Sequence, residues 1–115
     1  MLSFVLQLFF AFIFFGSGVY HFIKPDFFMP LMPPVLPAPK MLIYLSGLVE
    51  IVVAVGLFVA PFRQVAVWGV IALLIVFTPI HIFDYFQDVP AVGSKSIAAG
   101  RLVIQLILIA AAFYL

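Results

Sequence analysis

The chain has no cysteine, little charge of either sign and a single tryptophan. The missing thiols exclude disulfide exchange, thiolate nucleophiles and thiolate metal centres carried by this chain. They also remove any cysteine-based clue to compartment. Five basic and four acidic residues leave a net charge of +1, too little to hold a nucleic acid by its phosphates. Only 8% of the residues are charged and 68% are hydrophobic, whereas a soluble domain carries about 25% and about 45–50%. A soluble fold of 115 residues has no interior large enough for that much apolar surface, so the expected solvent is lipid.

What is present is long apolar runs. Spanning the hydrocarbon core takes about 20 apolar residues in a helix. Runs at 2–23, 41–60, 65–83 and 97–115 meet or approach that length, the last with Arg101 inside it. They are continuously apolar rather than alternating, which speaks against a barrel. The first begins at Leu2 with no Lys or Arg before it. It exceeds the roughly 7–15 residues of a signal-peptide core, so a retained helix is expected. The predicted fold class is all-α, a single integral-membrane four-helix antiparallel bundle over residues 1–115. The short Pro61-Phe62-Arg63-Gln64 connection makes spans two and three a hairpin, and the two longer connections, Lys24–Lys40 and Tyr85–Ser96, lie on the opposite face. Lys24, Lys40 and Lys95 on that face, against Arg63 on the other, put the termini outside by the positive-inside rule. Tyr20, Tyr44 and Tyr85 near the same face fit an aromatic belt. A multi-pass integral membrane protein is expected.

Lys24–Lys40 holds six of the nine prolines, which excludes a long regular helix there. It is nonetheless apolar. Two readings stand: an interfacial anchor, or a lid over a site between the helices, with Phe27, Phe28, Met32, Pro33 and Pro34 as its candidate contacts.

Glu50 lies in a run that is otherwise uncharged from Met41 to Phe62. It is nine residues into its span, about 13 Å deep from the lid face. A carboxyl group there is a functional-site candidate by default. Threading the chain through four antiparallel spans brings His21, His81, Asp84, Arg101 and Gln105 to the same half, with Gln7 near the other face. Gly47, Glu50, Ala54 and Leu57 recur at helical spacing, as do Ala98, Arg101 and Gln105, and Ala11, Gly18 and His21. Small residues on the Glu50 stripe suit a helix contact rather than a lipid face. Thr78, His81 and Asp84 share a stripe near Pro79, where a kink is expected.

The competing readings are plain. Glu50 pairs with Arg101 and fixes helix register, or both face a ligand. On every reading, Glu50→Ala should destabilise or inactivate more than Gln7→Ala, because it leaves lid-side donors unpaired. Arg101 alternatively reaches head groups. The histidines are interfacial hydrogen-bonders, or part of a polar site that relays a proton. No tight His spacing supports a metal, and no complete catalytic centre is visible, so catalytic residues are unknown and enzymatic activity is open.

The stretch GSGVYHFIKPDFFMPLMPPVLPAPKMLIYLSGLVEI, Gly16 to Ile51, resembles the DoxX-like family of small bacterial membrane proteins. The resemblance lies in Gly18-Val19-Tyr20-His21-Phe22, Met32-Pro33-Pro34, Tyr44-Leu45-Ser46-Gly47, Glu50-Ile51 and Arg101-Leu102. It covers roughly a third of the chain closely, and the four-span layout covers the rest. It implies a four-helix bundle and marks His21, Ser46, Glu50 and Arg101 as motif positions. Some relatives are linked by name to thiosulfate–quinone oxidation or redox assemblies, and redox relatives can carry cysteines that this chain lacks. An animal relative of the wider group is a chaperone for nicotinic acetylcholine receptors.

Three functions are carried forward. The first is a site of His21, Ser46, Glu50, His81, Asp84, Arg101 and Gln105 for a quinone-like or lipid ligand, none of it covalent, in an accessory of a redox system. The second is an assembly factor or chaperone for a membrane-protein partner. The third is a small proton-linked carrier, for which a homo-oligomer would supply the second half. The lipid bilayer is a partner in all three.

Overall fold

A computed structural model describes residues 2–87 and 93–115. The described residues are helical without a strand: α1 (Leu2–Ile23), the short α2 (Pro25–Phe28), α3 (Pro39–Gly56), α4 (Arg63–Tyr85) and α5 (Lys95–Ala112). The four long helices form the expected antiparallel bundle, and each is long and apolar enough to cross a membrane. Their outward faces carry large apolar side chains, with Phe12 82% and Val65 72% exposed. Water penalises such a surface and lipid does not, which marks a membrane protein.

The helices start and stop where local chemistry allows, not where the apolar runs do. α3 begins two residues before its predicted start because Pro39 occupies the first turn, where its missing N–H is an orphan anyway. Ala38 before it takes a left-handed φ of 45°, a conformation costly for a residue that carries a Cβ. α3 ends at Gly56 rather than 60, and Arg63 Nε donates to the Leu57 carbonyl at 3.3 Å across the hairpin turn. α4 extends beyond 65–83 at both ends. α5 begins at Lys95, where Ser94 Oγ caps it by accepting from the Ile97 N–H at 3.2 Å, and ends at Ala112 rather than 115. Lys95 also ties α5 to α4, its Nζ donating to the Tyr85 carbonyl at 2.8 Å and lying over that ring. Of the second lid-side connection, residues 88–92 lie outside the described residues.

Packing runs α1 on α3, α3 on α4 and α4 on α5. The α1–α3 crossing is the tightest. A Cβ built on Gly18 would lie 2.6 Å from the Gly47 carbonyl oxygen, and one on Gly47 would lie 2.6 Å from His21 Cβ. Only hydrogen fits at either position, as at other close helix crossings in lipid. The solid core, centred on Phe10, Phe14, Leu57, Val70 and Leu74, fills the half remote from the lid segment. The lid-side half is different.

Candidate functional site

Four helices and the lid segment surround a cavity of about 300 Å³ in the lid-side half. On α1, Phe14, Ser17 and His21 stand on one face at helical spacing. His21 Nδ1 donates to the Ser17 carbonyl at 2.6 Å, which fixes the ring and leaves Nε2 as the acceptor of the neutral imidazole. Phe28, turned inward by α2, stacks on that ring with centroids 3.9 Å apart and planes 12° apart. The lid segment is therefore packed on a polar residue of the site.

On α3 the wall is Ile43, Ser46 and Glu50. Ser46 Oγ donates to the Ile43 carbonyl at 2.9 Å, as serine does inside a helix, and its lone pairs are left to accept. Glu50 is 4% exposed, and its Oε2 has no hydrogen-bond partner. The nearest basic atom is His21 Nδ1 at 3.9 Å, too long for a hydrogen bond and already directed at Ser17.

α4 contributes Leu74, Phe77, Ile80 and His81, and α5 contributes Arg101, Ile104, Gln105 and Leu108. Gln105 is buried, and its Nε2 donates to the Leu74 carbonyl at 2.6 Å. The same carbonyl accepts from Thr78 Oγ1 at 2.8 Å. These bonds stitch α5 to α4 next to Pro79, through which α4 continues as a helix. Gln105→Leu should therefore lower stability by about 1 kcal/mol while leaving the Leu74 carbonyl its Thr78 partner. A thermal melt in lipid nanodiscs checks this, and an unchanged midpoint would mean that the bond contributes nothing.

Six of the seven predicted site residues, His21, Ser46, Glu50, His81, Arg101 and Gln105, line this one cavity. Asp84 does not. It is buried one turn beyond His81, near enough to act on it electrostatically, and it has an interaction of its own. Of the lid residues, Phe28 and Met32 reach the cavity, while Phe27, Pro33 and Pro34 do not. Phe27 is 53% exposed and packs on the rings of Tyr20 and Phe28. The sequence reading missed Ser17 and Leu31. Ser17 was signalled by its place four residues before His21, on the same face.

The Glu50–Arg101 ion pair is absent: among the described residues, the pairs within reach are His21–Glu50 and an exposed Lys40–Asp26 contact at 3.8 Å. Arg101 and Glu50 come from helices that do not directly pack together, and the cavity between them is the reason. Oε2 has no donor to lose, but loss of Glu50 would still deprive the Ser17 side chain, which hydrogen-bonds the carboxyl, of its acceptor. The site thus offers an open carboxyl oxygen, a guanidinium and imidazoles inside walls of Phe, Leu, Ile and Met side chains.

No curated protein and no solved structure matches the chain. A family model does, over residues 10–115, a stretch that takes in every residue of the cavity wall. The protein belongs to that family, described as a domain of unknown function, DUF8561.

Proposed function

We propose that this is a multi-pass protein of the bacterial inner membrane whose cavity holds the polar head of a lipophilic, quinone-like molecule, as an accessory to a redox system. The observation that carries the reading is Glu50 Oε2, buried without a partner in the wall of a cavity. A buried polar atom left unsatisfied opposes folding, and a ligand that supplies a donor removes the penalty. A quinol hydroxyl is such a donor. The carbonyl oxygens of the oxidised ring would accept from Arg101 and from an imidazole, and the apolar walls suit the ring itself. Glu50 and the histidines give the site proton acceptors. Electrons would come from a partner, since the chain has no thiol couple. The resemblance to DoxX-like proteins, some linked by name to quinone oxidation, points the same way.

The test is to purify the protein directly from membranes into nanodiscs, extract it with organic solvent and identify what co-purifies. Decylubiquinone is then titrated into emptied protein. Saturable binding is expected, and Arg101→Gln should weaken it by about tenfold or more, the loss of one charge-assisted hydrogen bond. Recovery of a defined membrane-protein client in place of any amphiphile, with no saturable quinone binding, would overturn the reading in favour of an assembly factor.

A further inference from the structure

The four long helices do not close a ring. α1 packs on α3, α3 on α4 and α4 on α5, while α1 and α5 make no comparable interface. The cavity nevertheless has walls from both: Ile13 and Ser17 on α1, and Arg101, Ile104 and Leu108 on α5. Ile104 is the one wall residue whose side chain is largely exposed, at 56%. Its side chain belongs to the cavity and to the outer surface of the bundle at once. The end of the cavity under the lid segment is stoppered instead. Phe28 is stacked on His21, and Leu31 is buried to 9% exposure.

Size adds a second constraint. About 300 Å³ is the lower edge of the range of roughly 300–1,000 Å³ in which small molecules are held. A substituted ring fills it, and a long chain does not fit beside the ring. Any chain must leave. The wall residues Ile13 on α1 and Ile104 and Leu108 on α5 are apolar, and helical backbone satisfies its own hydrogen bonds, so a hydrocarbon chain can lie against them without desolvating a polar group.

We infer that the site takes amphiphiles made of one polar ring-sized head and one hydrocarbon chain, and that the chain runs out between α1 and α5 into the bilayer. This rests on the ligand reading above and names the ligand's shape and route. Head groups exchange sideways with the membrane rather than through the lid segment. Ile104 sits at the mouth and selects for a single unbranched chain beside it.

The experiment compares decylubiquinone with the same head lacking its chain, each titrated into protein in nanodiscs. Ile104→Trp places a larger ring in the mouth, and Ile107→Trp, on the same helix but outside the cavity wall, is the control. Ile104→Trp should weaken decylubiquinone about tenfold more than it weakens the chainless head, and Ile107→Trp should change neither. Retained binding of the chainless head shows that the Ile104→Trp protein is folded. Decylubiquinone binding equally well to Ile104→Trp and wild type would overturn the route, as would an equal loss of both probes. Failure of wild type to bind either probe would instead reject the ligand reading on which the route rests.

Discussion

A leucine at Gly47 should lower the stability of the protein by about 3 kcal/mol or more and empty the cavity of function at the same time. The first atom of the new side chain would stand 2.6 Å from His21 Cβ and 2.9 Å from the Gly18 carbonyl oxygen. Neither neighbour can yield. One is backbone, and the other is anchored by the His21–Ser17 bond and the Phe28 stack. Relief requires α1 and α3 to separate, and this is the most extensive helix contact in the bundle. Separation also moves His21 and Ser17 away from Glu50. Gly16 and Gly100 give the contrast, because a Cβ at either meets nothing within 4 Å. Alanine there should stabilise by up to about 1 kcal/mol through helix propensity alone. Thermal melts of the three variants in one lipid and one detergent decide the matter. A Gly47→Leu protein that melts with wild type would mean that the crossing is not as close as described.

The crossing was partly legible beforehand, since Gly47 and Glu50 share a stripe and Gly18 and His21 another. Apolar runs of membrane-spanning length located all four long helices. Their ends were less legible, because the runs count side-chain polarity while a helix counts backbone hydrogen bonds. Lys40, Arg63, Asp84 and Lys95 are helical although they are charged. Residue depth along each span brought together five of the polar residues that line the cavity, His21, Glu50, His81, Arg101 and Gln105, while Ser46 came from the resemblance. It could not say which of them touch. Contact across a bundle depends on how far each helix is turned and on what lies between. Glu50 and Arg101 line one cavity without an ion pair between them. The lid residues show the same limit. Proline content excludes a long helix in the segment, but only the four-residue α2 decides that Phe28 turns inward while Phe27 turns out.

Glu50→Met should raise the melting temperature and weaken binding of the quinol head. The two expectations come from the same atom. In the wild-type protein Oε2 is buried with no partner, so the folded state carries a desolvation penalty of about 1–3 kcal/mol that methionine does not. Methionine is unbranched, close to glutamate in length and free of hydrogen-bonding demand, so it fills the space without opening a further void. Removing the unsatisfied Oε2 therefore stabilises by an amount of up to that order, offset in part by the Ser17 side chain's lost bond to the carboxyl. Had the carboxyl been held by Arg101, the same change would strand a buried charge and destabilise by about 3–5 kcal/mol. The sign of the shift thus separates a packing role from a ligand-facing one, without knowledge of the ligand. The binding arm is independent of it: loss of the open carboxyl oxygen that would accept from a quinol hydroxyl should weaken decylubiquinol by at least about tenfold in a protein that melts higher than wild type. Sites kept for function commonly oppose stability in this way. A Glu50→Met protein that melts lower, or one that melts higher and still binds decylubiquinol as wild type does, would remove Glu50 from the site.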